Sequence, residues 1–404
     1  MKTNNKFNIN CKKFNSNIPK ISLACAMIIA FCTVILFEVL PLGKNVARAD
    51  EIAVKGKACY LVDTDTGTEM YQKDADKRLP IASMVKIMTS LIAFEAVEKG
   101  ELTLDEMVSV SEESASMGGS QVFLDAGKKY KASELLKSIV VASANDSCVA
   151  IAERLSGNVD GFVKDMNKRA KELGMANTHF ANCTGLPAPE NYSSAKDVSI
   201  MFRQLIKHPV YFKFAGIWLE DFVHPDGRTT SMTNTNKLVK FYDGCDGGKT
   251  GFTSEAKFCL SATAERNGLR VVAVVIGADS SKERFSAVSN LFGYAFSNYT
   301  AKVIQPKGQD IDNSIRVVGG KEKKISIASK EDVRALVKKG VDDEYDLRYK
   351  LPEKVKAPVK VGDEIGKAYL TRNGEVVKEY SIICVKDVEK GNFFDLLKGL
   401  GEKW

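Results

Sequence analysis

The segment KTGFTSEAKFCLSATAERNGLRVVAVVIGA occupies residues 249–278. Its Asn267-Gly268 pair lies between two apolar runs, Phe258–Thr263 and Leu269–Ile276, and such a pair between such runs predicts a tight β-hairpin. A second hairpin is predicted far upstream, where Ala58–Asp63 and Thr68–Tyr71 flank a turn at Asp65-Thr66-Gly67. The residues between them have helical spacing. After Pro80, the residues Met84, Ile87, Met88, Leu91, Ile92 and Val97 form an apolar stripe, and further helical stretches run from Ser133 to Leu155 and from Val159 to Leu173. Strands from the two ends thus flank a helical insertion. The expected fold is a mixed α/β (α+β) domain whose antiparallel sheet is closed by segments distant in sequence.

Beyond a helical Arg284–Tyr299 segment, Pro306 and Gly308 mark a linker, and the pattern changes to short strands at Ile315–Val318, Ile325–Ile327, Tyr345–Tyr349, Ala368–Leu370 and Val376–Cys384. A small all-β domain over residues 306–385 is expected. Residues 386–404 follow, with Phe393, Leu397, Leu400 and Trp404 at i, i+4, i+7 and i+11. That spacing, with Asp395, Lys398 and Glu402 on the other side of a helical wheel, reads as an amphipathic segment that lies on a membrane surface.

The N-terminus reads as an export leader, residues 1–49: five lysines precede an apolar run from Ile21 to Phe37, and the small-residue site ends at Ala49. The chain carries a formal charge of +7. Most of that excess lies in the leader, and the near-neutral remainder removes the electrostatic argument for nucleic acid. Six cysteines lie beyond Ala49 (Cys59, Cys148, Cys183, Cys245, Cys259, Cys384) with neither C-x-x-C nor Cys/His ligand spacing. No metal or other cofactor is expected, and the thiols read as buried apolar groups in preference to a disulfide framework.

Ser83-Met84-Val85-Lys86 stands where the helix after Pro80 begins, so Ser83 is at its positive end and Lys86 lies one turn on, on the same face. A hydroxyl becomes a nucleophile only when a base takes its proton, and a lysine serves as that base only if its pKa is lowered. Alone, an S-x-x-K is a weak signal. Here it is followed by Ser143-Ala144-Asn145 and then by Lys249-Thr250-Gly251, and that order in an exported chain is a specific signature of a serine acyl-transfer site.

With these motifs the chain resembles the low-molecular-weight penicillin-binding proteins, the D-alanyl-D-alanine carboxypeptidases of peptidase family S11. Gly118-Gly119-Ser120, His179-Phe180 with Asn182, Thr184-Gly185-Leu186 and Gly277-Ala278-Asp279-Ser280 add to the likeness. The resemblance implies a serine β-lactamase/penicillin-binding-protein-like catalytic domain over residues 50–305, with the β domain and amphipathic tail as that family's second domain and anchor. It implies that Ser83 is the acylated nucleophile, Lys86 its base and Ser143 a proton relay to the leaving D-alanine. Asn145 would bind the substrate amide, Lys249 and Thr250 the terminal carboxylate with help from Arg284, and Gly251 and Phe252 would complete the pocket. The N–H groups of Ser83 and Phe252 would form the oxyanion hole. The implied partners are peptidoglycan stem peptides ending in D-Ala-D-Ala, with β-lactams as inhibitors, at the outer face of the cytoplasmic membrane. Some positions depart from the family pattern, including Val85 for Thr, Ala144 for Gly and Lys257 for Gly.

Three other readings share the motifs or the fold. A serine β-lactamase of class A would need a Glu-x-x-Leu-Asn segment, which is absent between Asn145 and Lys249. A D,D-endopeptidase would use the same residues on a cross-link, and a non-catalytic wall-binding scaffold would have no need of them.

Overall fold

A computed structural model of the chain describes residues 52, 54–341 and 343–392. The expected leader (1–49) and Phe393, Leu397, Leu400 and Trp404 of the expected tail lie outside the described residues. The described residues form one compact unit.

The unit begins with the hairpin of β1 (Ala58–Asp63) and β2 (Glu69–Lys73). Helices α1 (Lys86–Glu98), α2 (Ala132–Val141), α3 (Asn145–Ser156), α4 (Val159–Glu172) and α5 (Ala195–Leu205) follow. A peripheral hairpin of β3 (Leu219–Val223) and β4 (Thr229–Thr233) precedes β5 (Cys245–Thr253), β6 (Lys257–Arg266) and β7 (Leu269–Ala278), and α6 (Ser281–Asn298) closes the domain. The central sheet is antiparallel with strand order β2-β1-β7-β6-β5, so the N-terminal hairpin is zipped onto the C-terminal one, as expected.

The continuous apolar run of β7 is explained by helices on both faces of the sheet. Val272, Val274 and Ile276 join the core under α1 and α5, while Val271, Ala273 and Val275 join the core under α6. Asn267 and Gly268 both take positive φ (51° and 76°), the requirement of a two-residue turn of the primed type between twisted strands.

Two features differ from the sequence expectation. The helical stretch Ser133–Leu155 is two helices, because Ser143 takes φ +65° and breaks the run between α2 and α3. The strand Tyr299–Gln305 (β8) follows α6 directly and pairs with β10 (Val333–Lys338), so the β domain takes in residues ahead of Pro306. Its four-stranded sheet has the order β9-β13-β12-β11, from β9 (Ile327–Ser329), β11 (Tyr345–Lys350), β12 (Glu364–Arg372) and β13 (Glu375–Cys384).

Asp65, in the β1–β2 turn, meets the β domain through an ion pair with Lys378 and a bond from Tyr380 Oη at 3.3 Å. Arg334 Nη1 donates to Gly268 O at 2.8 Å. Among the described residues, no helix is long and apolar enough to cross a membrane.

Candidate active site

Ser83 lies in a short 3-10 turn, Ala82–Val85, that runs into α1, and the preceding Ala82 is held at φ +48°. Lys86 is the first residue of α1 and is fully buried. Its Nζ donates to Ser83 Oγ at 3.0 Å and also to the Thr184 carbonyl. Burial drives the Lys86 pKa below the usual lysine range, because the charged ammonium would be stripped of water.

The Thr184 carbonyl is aimed by a turn in which Asn182 Oδ1 accepts from Gly185 N at 2.7 Å. Gly185 has to be glycine: its φ is +80°, and a Cβ there would stand 2.0 Å from Ala82 O. The Asn182–Leu186 segment was legible as a motif but not as the carbonyl that steers the base.

Ser143 and Asn145 come to the site through the break between α2 and α3. Ser143 keeps a left-handed conformation that costs a non-glycine residue roughly 1–3 kcal/mol, a form of strain that gathers at functional sites. Its Oγ is buried and has no hydrogen-bond partner among the described residues. Asn145 is oriented by its N–H bonding Ser120 O at 2.7 Å and its Nδ2 bonding Gly118 O at 2.6 Å, and its Oδ1 has no partner among the described residues.

Lys249, Thr250 and Gly251 lie on β5, the edge strand of the sheet, with Lys249 and Thr250 buried. Lys249 Nζ donates to Thr250 O at 3.0 Å. Its pKa falls well below the ordinary value, first through burial and then through the charges of Lys86 and Arg284. Gly251 allows β5 to lie against the Ser83 turn: a Cβ on it would be 2.4 Å from Ile81 O and 3.3 Å from Ser83 N. Phe252 is 55% exposed and its ring stacks on Phe258 at 4.4 Å.

Arg284, on α6, is buried, and Nη1 donates to Gly251 O at 3.1 Å and to Cys259 O at 3.4 Å. It braces the Gly251 backbone from the sheet side, and burial lowers its pKa to about 10. The six described cysteines are all buried and form no disulfide among the described residues.

A serine beside a buried, pKa-lowered lysine, at the junction of a helical lobe and a sheet edge that carries a second lysine, defines a serine acyl-transfer enzyme. The chain belongs to the D-alanyl-D-alanine carboxypeptidase family S11, whose profile matches residues 44–280. Residues 299–390 match the penicillin-binding protein 5 C-terminal domain. The chain is 41% identical to D-alanyl-D-alanine carboxypeptidase DacF of Bacillus subtilis (strain 168) over 88% of its own length and 92% of that protein. Penicillin-binding protein 5 of Haemophilus influenzae superposes with a TM-score of 0.64 at 29% identity, over 83% of this chain and 98% of that one. Penicillin-binding protein D2 of Listeria monocytogenes, solved in its ampicillin-bound form, gives 0.55 at 30% identity, over 61% and 99%.

Proposed function

We propose that this chain is a serine D-alanyl-D-alanine carboxypeptidase that removes the terminal D-alanine from peptidoglycan stem peptides. The observation that carries the reading is the Lys86 Nζ to Ser83 Oγ contact of 3.0 Å in a site whose burial favours the neutral amine. Neutral Lys86 takes the Ser83 proton as Oγ attacks the penultimate D-alanyl carbonyl. The oxyanion forms against the N–H groups of Ser83 and Phe252. Lys249 and Thr250 hold the terminal carboxylate, with Arg284 fixing the strand beneath them. Asn145 Oδ1 accepts a substrate amide N–H, and Ser143 passes a proton to the departing D-alanine nitrogen. Water then releases the acyl group from Ser83, and a β-lactam, which mimics the same dipeptide, stays bound there.

Intact-mass spectrometry after penicillin treatment tests the assignment: one adduct is expected, mapping to Ser83 and absent from Ser83→Ala. An adduct on another serine, or none at saturating penicillin, overturns it.

The domain layout keeps a catalytic domain, a β domain and a terminal tether. The leader of residues 1–49 sends the chain out of the cytoplasm, and the apolar stripe Phe393, Leu397, Leu400 and Trp404 rests on the outer face of the membrane. Deleting residues 391–404 from leader-processed protein is expected to move it from the vesicle pellet to the supernatant with penicillin labelling intact. A truncated form that still pellets with lipid refutes the tether.

A further inference from the structure

Phe123 combines two properties that an aromatic residue seldom has together. It is 54% exposed, and its φ is +63°. Bulky side chains in that conformation are outliers, and a glycine would hold the same turn without strain. Its neighbours Val122 and Leu124 are fully or almost fully buried, so the loop is anchored on both sides of the one residue it presents outward.

That presentation is enforced from two elements. On one side the Asp146 carboxylate, next to Asn145 at the start of α3, accepts from Val122 N and Leu124 N, both at 3.1 Å. On the other, Arg228 Nη2 donates to Phe123 O at 3.0 Å, and Thr230 Oγ1 donates to Val122 O at 3.2 Å. Arg228 also grips Asp125 (3.0 and 2.9 Å), and His224, 3.0 Å from Thr230 Oγ1, backs the pair. The same loop supplies the Gly118 and Ser120 carbonyls that orient Asn145. The residue presented at such expense therefore belongs to the loop whose backbone orients Asn145.

We infer that Phe123 is a specificity residue, a fixed apolar contact for the aliphatic part of the stem peptide on the acyl-donor side of the scissile bond. This rests on the carboxypeptidase reading, in which Lys249 holds the leaving end and so directs the rest of the peptide towards Asn145. A short acylated dipeptide does not extend as far as this contact, whereas a pentapeptide stem does.

The test compares kcat/KM for a pentapeptide stem and for an Nα-acyl-D-Ala-D-Ala dipeptide in wild type, Phe123→Gly and Phe123→Leu. In Phe123→Gly the pentapeptide-to-dipeptide ratio should fall about tenfold, the scale of one apolar contact in a recognition pocket. Phe123→Leu should recover part of it. The melting temperature of Phe123→Gly should not drop, which separates lost recognition from lost folding, and penicillin should still label Ser83. An unchanged ratio overturns the inference while leaving the catalytic assignment in place. Failure of the wild type itself to label or turn over peptide is a different result, and it removes the carboxypeptidase reading and this one with it.

Discussion

Gly251 and Ile81 are packed backbone to backbone, so closely that a Cβ on Gly251 would lie 2.4 Å from the Ile81 carbonyl oxygen. This contact joins the edge strand that carries Lys249 and Thr250 to the turn that carries Ser83. It sets Gly251, the residue before Phe252, against the Ser83 backbone N–H, from which a Gly251 Cβ would stand 3.3 Å, although the two come from opposite ends of the domain sequence.

Gly251→Ala should therefore push the two backbones apart. Overpacking of this kind costs about 1–3 kcal/mol, and a shift of about 1 Å in the reacting geometry lowers rate roughly 10²-fold. Stopped-flow acylation by a chromogenic β-lactam, run beside thermal unfolding, should show both losses. Wild-type acylation in this variant would mean that the contact has no part in forming the site.

The pH dependence of acylation follows from the direction of the Lys86 shift. A base works only in its neutral form, and burial lowers the Lys86 pKa. Acylation should rise with pH through that lowered value and level off before the range in which surface lysines titrate. Lys86→Met should reduce the rate by roughly 10²–10⁴. A profile that keeps climbing to the normal lysine pKa would show that the amine is solvated.

Lys257 offers a change that should improve stability without touching chemistry. It holds φ +57° as the first residue of β6, just past the β5–β6 turn, at the position where the family pattern favours glycine. Lys257→Gly removes a left-handed penalty of about 1–2 kcal/mol and adds a glycine entropy cost of roughly 0.5–1 kcal/mol. Urea unfolding should show a gain of about 0.5–1 kcal/mol on those two opposing terms, with the acylation rate unchanged.

The contact between the two domains can be weighed by a double-mutant cycle on Asp65 and Lys378. The pair is partly exposed, with side-chain exposures of 37% and 18%, so its coupling should be about 1 kcal/mol and weaken with salt. Limited proteolysis of Asp65→Asn should cut faster near residues 299–310 than in wild type. An unchanged pattern would leave the Arg334–Gly268 contact as the dominant join.

The chemistry of this chain was legible because it is written in local motifs. Ser83 and Lys86 are one helical turn apart, and Asn267-Gly268 marks its turn by side-chain size alone. The parts that were not legible depend on partners distant in sequence. The Thr184 carbonyl that holds Lys86 comes from 98 residues away. Ser143 breaks a segment whose apolar spacing reads as mostly helical, and the local signal for the break, Ser143, Asn145 and Asp146, marks a turn without giving its positive φ. Residues 300–305 read as neither helix nor strand between the helical Arg284–Tyr299 segment and the linker at Pro306, because their strand partner, β10, lies some thirty residues on.

The low proton affinity of Lys249 also bears on how this protein greets an anion. Burial first, and then the neighbouring charge of Arg284, favour loss of its proton in the free protein. A carboxylate placed against that amine restores the missing counter-charge and draws its pKa upward. Ligand capture is then coupled to uptake of a proton from the buffer. The heat of binding should differ between buffers of small and large ionisation enthalpy, and a ligand lacking the carboxylate should leave the solution's proton balance untouched.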